Sequence, residues 1–334
     1  MKTADVIIIG AGIAGLSAAA AIAPDRKVIV LEREPHPGMH STGRSAAIFV
    51  ENYGNPAVRL LNRASRDALR PYLSPRGVLV VAQPGEETAL DAHLDGSSGM
   101  DEISPEEACR RFPILRPERV ARAAYEPDAS DIDVDRLMGD LRGTLRANGG
   151  EIITRAEVLS MTPGWQIDTS AGAFSAPVVI NAAGAWADQI AVLAGVEPLG
   201  LRACRRSAAI LPAPSEHDVS GWPMLLSASE GFYAKPEAGR LMVSPADEDE
   251  VAPMDAWPDD MVLAEGLDRY AQAVTEPVTR VERTWAGLRT FTPDRTPVCH
   301  WGAEGFLWLA GQGGYGVQTS PAMAAQAAEL VCAR

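Results

Sequence analysis

The sequence predicts an α/β fold in which a parallel-sheet domain is interleaved with a smaller mixed-sheet α+β domain, and three observations carry that prediction. The apolar run Val6-Ile7-Ile8-Ile9 meets Gly10, Gly12 and Gly15, in GxGxxG spacing, at the mouth of an Ala-rich helix. A second apolar strand, Val28 to Leu31, ends in Glu32, 22 positions after Gly10. Far downstream, Phe306 to Ala310 forms another strand that runs into Gly311-Gln312-Gly313-Gly314-Tyr315-Gly316 and then a helix. Strand, glycine turn, helix, strand and terminal acid together make a Rossmann-type dinucleotide unit. Its glycines let backbone approach a pyrophosphate, its helix N-terminus offers free N–H groups, and its acid accepts from ribose hydroxyls.

Between these ends the texture changes. From Tyr53 the chain is helical and Pro-punctuated, with a short apolar strand at Gly77 to Ala82 and a polar loop near Gly85 to Gly99. Val134, Leu137, Met138, Leu141 and Leu145 share one helical face, Asp133 is an N-cap candidate and Asn148-Gly149-Gly150 ends the helix. Strand-like runs follow at Glu151 to Thr154, Trp165 to Thr169 and Val178 to Asn181, the last entering Ala182-Ala183-Gly184. Further strands are expected at Ala208 to Leu211, Gly231 to Lys235 and Arg240 to Ser244, with an acidic helix around Asp259 to Ala273. The final helix is expected from about Pro321, capped by Ser320. The nucleotide domain then comprises 1–50, 130–203 and 284–334, and the second domain 51–129 and 204–283.

Composition narrows the function. The 334 residues, 46% of them hydrophobic, can furnish a large core, and 44 acidic against 30 basic side chains leave a net charge of −14. Without a run of Lys or Arg, nucleic acid is not an expected partner. No apolar stretch reaches the ~20 residues that cross a bilayer, and the N-terminus lacks the marks of a secretory signal. Cys109, Cys204, Cys299 and Cys332 are scattered and the five His are dispersed, which suits reduced thiols, a cytoplasmic location and no metal site.

Two features favour FAD over NAD. Ser41-Thr42-Gly43-Arg44-Ser45-Ala46 is a small, hydroxyl-rich loop able to pass beside a bulky ligand and hydrogen-bond its phosphates. The turn after Ala310 supplies a second helix N-terminus, whose dipole would stabilise an anionic reduced flavin.

DVIIIGAGIAG, LEREPHPGMHSTGRSAA, VINAAGAWAD, TWAGLRTFTPD and GQGGYGVQTS, in that order, resemble the D-amino acid oxidase (DAO) superfamily of FAD enzymes. Within it the bacterial D-arginine dehydrogenase or D-amino acid dehydrogenase type is the most similar, over essentially the whole chain. The resemblance implies noncovalent FAD and oxidation of a D-amino acid to its imino acid, by hydride transfer from Cα to flavin N5, then hydrolysis to a 2-oxo acid and ammonia. It implies flavin contacts at Gly10, Gly12, Ala14, Gly15, Glu32 and Arg33; at Ser41, Thr42, Arg44, Ser45 and Ala46; at Val158, Ala183 and Gly184; and at Gly311, Gly314, Gly316, Val317, Gln318 and Thr319. Arg289 corresponds to the substrate-carboxylate ligand, a role suited to a guanidinium's rigid bidentate fork. Arg206 resembles a second such ligand, and strand alternation allows only one of Arg205 and Arg206 to face the site. Tyr53 and Tyr233 match tyrosines that flank the substrate, whereas Trp186 and Trp285 read as core.

The sequence departs from the arginine-type pattern at the side-chain pocket, where Ile48, Val50 and Val78 replace polar residues and a glutamate. Uncharged side chains are therefore expected, unless Glu51 or Glu86 restores a carboxylate. A flavoenzyme for glycine- or sarcosine-type amines, or for a 2-hydroxy acid, remains an alternative, since Arg289 would clamp any of these carboxylates. An NAD-dependent dehydrogenase and a non-catalytic flavin-binding module are more remote. The electron acceptor, oxygen or a quinone, is left open.

Overall fold

The computed structural model describes residues 1–333. A six-stranded sheet runs in the order Glu151–Ile153, Val28–Leu31, Val6–Ile9, Val178–Asn181, Phe306–Ala310 and Val298–Ala303. All its pairs are parallel except the last. Its four central strands are buried throughout because both faces are covered. Val6, Ile8, Val28 and Val30 pack with the helices Ile13–Ile22, Val134–Ala147 and Gly316–Cys332. Ile7, Ile9, Ile29 and Leu31 point the other way, onto a small sheet containing Met161, Ile167 and Phe174 and onto Ile190 of the helix Ala187–Ala194. The alternation of one apolar tetrapeptide thus serves two cores.

The nine-stranded sheet is ordered Gln312–Gly313, Arg283–Phe291, Arg202–Leu211, Arg240–Ser244, Tyr233–Glu237, Met224–Ser227, Val78–Ala82, Arg122–Glu126 and Asp101–Ile103. Leu79, Val81, Leu225, Ala234 and Val243 face the helices Pro105–Arg111 and Asp260–Ala273. Val78, Val80, Met224, Tyr233 and Met242 face the opposite way, toward the first domain.

Two expectations are corrected. The strand Arg283–Phe291, placed by sequence with the nucleotide stretch 284–334, belongs to the nine-stranded sheet, in register with Arg202–Leu211 from Arg202↔Phe291 to Ile210↔Arg283. A strand of that length needs a long partner for its backbone groups, and the strands of the six-stranded sheet are too short to provide one. The last helix begins at Gly316, not after a Ser320 cap, and Pro321 lies inside it. Proline cannot donate to the Val317 carbonyl, but the Ser320 hydroxyl does so at 2.9 Å. Ala322 N–H donates to Ser65 Oγ at 3.2 Å. These two bonds offset the usual cost of an internal proline.

The glycine turn depends on close backbone contact. Gly10 has φ +103° and packs on the Ala182 carbonyl, and a Cβ at Gly15 would fall inside the van der Waals shell of the Gly10 carbonyl. Overpacking of this kind costs about 1–3 kcal/mol, here borne by the element that shapes the nucleotide turn. Gly15→Ala is therefore expected to lower Tm and the flavin carried per chain, read from thermal scans and from the ratio of visible to ultraviolet absorbance. A variant as stable and as flavin-replete as wild type would contradict this packing.

Candidate active site

One cavity of about 420 Å³ runs between the two sheets, within the range of small-molecule sites. At one end its wall is Gly10, Gly12, Ile13, Ala14, Glu32, Arg33, Val158, Ala183 and Gly184. Glu32 is buried at the tip of its strand and accepts Ala11 N–H at 2.7 Å and Glu34 N–H at 2.9 Å, which fixes its carboxylate beside the glycine turn. Ala14 and Gly15, in the first turn of the helix Ile13–Ile22, have no intrahelical acceptor.

The loop of residues 41–46 lines the middle of the cavity, but much of its polarity is turned to the protein. Thr42 Oγ1 accepts Ile13 N–H at 3.0 Å, and Ser41 Oγ donates to the Leu288 carbonyl at 2.5 Å. Arg44 donates to the carbonyls of Ala256 at 3.0 Å and Ala286 at 2.9 Å and pairs with Asp255 at 2.5 Å. Arg44 therefore fastens the second domain to the first. Gly311 and Thr319 lie outside the cavity wall: Gly311 packs on Thr292, and the buried Thr319 hydroxyl donates to the Tyr315 carbonyl at 2.9 Å.

The other end is a chamber in which Arg289, Arg206, Tyr53 and Tyr233 meet Gly313, Gly314 and Gln318. Arg289 stands directly opposite Cys204 in the ladder, and Arg206 is two residues from Cys204, so both guanidiniums leave the same face. Arg205 leaves the other face and pairs with Asp249 at 3.2 Å. Arg289 Nη1 donates to Tyr53 Oη at 3.2 Å, and among the described residues no carboxylate lies within ion-pair distance of it. Arg206 Nε donates to the Asp247 carbonyl at 2.7 Å, and its nearest carboxylate is Glu248 at 4.0 Å. Burial, then repulsion from Arg289, pulls the Arg206 pKa down. Burial also opposes the charge of Arg289, but Tyr53, Tyr233 and Glu248 outweigh it and raise its pKa. A Cβ on Gly314 would sit 3.0 Å from Arg289 Nη1 and 3.1 Å from Tyr53 Oη, so glycine keeps the space before the guanidinium open.

Ile48, Val50 and Val78 line this chamber, joined by Met224 and Leu226. The Gln318 amide is spent on Val50, accepting its N–H at 3.0 Å and donating to its carbonyl at 3.3 Å. Gln312 Nε2, also in the wall, is a buried donor without a partner among the described residues. Gly316 and Val317 add a second uncapped helix N-terminus.

The family model described as FAD dependent oxidoreductase, DAO, matches residues 5–330. The chain belongs to this DAO family. FAD-dependent oxidoreductase domain-containing protein 1 of Bos taurus is 25% identical over 396 residues, covering 99% of this chain and 81% of that protein. Human mitochondrial dimethylglycine dehydrogenase is 24% identical, covering 94% and 41%. Glycine oxidase of Geobacillus kaustophilus is 24% identical, covering 98% and 92%. A solved structure of the Geobacillus kaustophilus glycine oxidase matches with a TM-score of 0.86 at 21% identity, covering 100% of this chain and 96% of that one, which shows the shared fold. The comparisons carry the family and not the narrower D-arginine dehydrogenase type. The sequence departs from that narrower pattern at Ile48, Val50 and Val78.

FAD is the family's cofactor, and the cavity fits it. The glycine turn with its helix N-terminus suits the pyrophosphate and Glu32 the ribose, while the second helix N-terminus and the unpartnered Gln312 donor suit an electron-rich ring system. Among the described residues no His, Cys, Asp or Glu group could hold a metal, and no helix is long and apolar enough to cross a membrane.

Sequence reasoning missed Met224, Leu226, Gln312 and Trp186. Trp186, read as core, lies in the cavity wall between the Arg33 guanidinium, 4.2 Å from its ring centre, and the His40 ring at 4.8 Å. The signal available was its place in GAWAD, one turn beyond a buried strand. Trp285 packs beside the site, donating to the Arg44 carbonyl at 3.2 Å.

Behind the chamber, Glu126 is 1% exposed on the same sheet face as Val78, accepting Glu51 N–H at 3.1 Å. Burial pushes its pKa up, against the hydrogen bonds from Asn52 and Glu51 N–H. A carboxyl raised on folding contributes stability that is full below its unfolded pKa and is lost as pH rises through the folded pKa. Glu126→Gln cannot ionise, so its Tm relative to wild type should rise between pH 5 and pH 8, in thermal scans at constant ionic strength. A pH-independent difference would contradict this.

Proposed function

We propose that this chain oxidises the Cα–N bond of a small amino-acid carboxylate of the glycine or sarcosine type, carrying an uncharged substituent. The observation that carries the reading is Arg289, a guanidinium presented to the chamber beside Tyr53 and Gly314 with no carboxylate of the described residues within ion-pair distance. The glycine oxidase and dimethylglycine dehydrogenase relatives support the same substrate class.

Bound FAD supplies the hydride acceptor. The chain supplies position. Arg289 and Arg206 bind the carboxylate as a charge-assisted pair, and the phenols of Tyr53 and Tyr233 border the remaining space. With the carboxylate anchored, the Cα–N bond would lie between Arg289 and the apolar wall, which converts binding energy into orientation. The lone pair of the neutral amine drives imine formation, so no side-chain base at Cα is needed. Water then hydrolyses the imine.

The apolar wall favours a second reading, D-amino acids with apolar side chains. Ile48, Val50, Val78, Met224 and Leu226 surround the space beyond the carboxylate clamp. Glu51 is held by Arg63 at 3.1 Å and Arg66 at 3.0 Å, and Glu86 by Ser229 at 2.9 Å, so neither is free to receive a cationic side chain. A cation against these five side chains would be desolvated without repayment, and the one acid lining the cavity near them, Glu230, is exposed, where solvent screens its charge.

Anaerobic reduction of the bound flavin by glycine, sarcosine, N-ethylglycine, D-Leu, D-Met, D-Arg and glycolate tests both readings. Sarcosine-type amines, or apolar D-amino acids on the second reading, should bleach the flavin fastest, with D-Arg slower by a factor of ~30 or more, about 2 kcal/mol. A lead for D-Arg or glycolate would contradict the proposal, as would a flavin that no amine reduces. Heat or acid should release the FAD into solution, and flavin left attached to denatured protein would contradict noncovalent binding.

A further inference from the structure

The carboxylate Glu248 is the anion best placed to compete with a substrate for Arg206, and it is held away. Its Oε1 lies 4.0 Å from Arg206 Nη2 but 2.7 Å from Arg295 Nη2, and its Oε2 accepts from Arg295 Nη1 at 3.2 Å. The pair is bidentate, the geometry in which arginine holds a carboxylate most firmly. Arg295 is itself fixed: its guanidinium stacks 3.8 Å from the Phe291 ring centre, and its backbone has φ +61° in the turn closed by Arg295 N–H to the Thr292 carbonyl at 3.0 Å. The other acids nearby are already engaged. Asp247 takes Ser207 N–H at 2.6 Å and Ser207 Oγ at 2.7 Å, and Asp249 pairs with Arg205 at 3.2 Å.

We propose that Arg295 is a positioning residue that sequesters Glu248 and so leaves the charge of Arg206 available to the substrate carboxylate. The inference rests on the reading of Arg206 and Arg289 as the carboxylate site. Without Arg295, Glu248 needs only to close a gap of about an ångström to reach hydrogen-bonding distance of Arg206, and the chain then carries its own competitor. Arg295 and Glu248 are partly exposed, so solvent screens the effect and a moderate change is expected.

The test uses holoenzyme and two probes: propionate, whose Kd is read from the shift in flavin absorbance, and sarcosine turnover. Arg295→Met should raise the propionate Kd and the sarcosine KM about tenfold while kcat and flavin content change less than twofold. Adding Glu248→Gln to that variant should return both constants to within about threefold of wild type, a rescue that a merely structural role for Arg295 would not show. Glu248→Gln alone should leave the Kd unchanged or lower it, which tests the idea even if Arg295→Met folds poorly. An unchanged Kd in Arg295→Met, a defect that Glu248→Gln fails to rescue, or a tenfold weaker Kd in Glu248→Gln alone would each overturn the proposal. Arg206→Met separates this from the underlying reading: if it leaves the propionate Kd unaltered, the assignment of the carboxylate site itself has failed.

Discussion

Two guanidiniums on one face of a strand pair, with no carboxylate of the described residues in hydrogen-bonding reach, are the constraint on which the chamber depends. Uncompensated cations side by side in a partly buried site are unfavourable, and a chain selected only for stability would pair them or replace them. Arg205, one residue away on the opposite face, shows the ordinary solution in its pair with Asp249. Arg206 and Arg289 forgo it. On the proposed reading, an incoming carboxylate would relieve their repulsion and satisfy donors that the described residues leave free, so affinity would be concentrated at one end of the substrate.

The architecture brings these two guanidiniums and the glycine turn to one cavity. The long ladder between Arg202–Leu211 and Arg283–Phe291 fixes Arg206 relative to Arg289, and Gln312–Gly313 adds to the same sheet just before the helix that starts at Gly316. Arg44 ties the Ala256 and Ala286 carbonyls and the Asp255 carboxylate to the glycine-loop side. Gln318 and Asn62 hold the Val50–Tyr53 segment by its backbone, Asn62 donating to the Tyr53 carbonyl at 3.0 Å. The tyrosine and the apolar wall are thereby placed by a buried polar network, with little freedom to drift.

The βαβ unit was legible in the sequence because everything that defines it is local: alternating apolar residues, glycines at fixed offsets and an acid at the end of the next strand. The place of Arg289 and Tyr53 in the cavity wall was legible through the family resemblance of their motifs. Met224, Leu226 and Trp186 were not, since each reaches the cavity only after nine strands or a crossover have assembled, and neither periodicity nor spacing encodes that. The start of the last helix was misread because Ser320-Pro321 has the local form of a cap and first-turn proline, whereas the helix already runs from Gly316 and accommodates Pro321 through hydrogen bonds from Ser320 and to Ser65 that no local pattern reveals. Arg295 carried no signal at all; its meaning lies in which carboxylate it keeps from Arg206.

The central claim is that Arg289 recognises a carboxylate, and the most direct measurement is titration of the flavin-loaded protein with propionate, which cannot be oxidised at a Cα–N bond. The wild type should show a saturable perturbation of the flavin spectrum, and Arg289→Ala, still carrying its flavin, should bind at least ~30-fold more weakly, about 2 kcal/mol for a lost charge-assisted pair. Equal affinity in the two proteins would contradict the account.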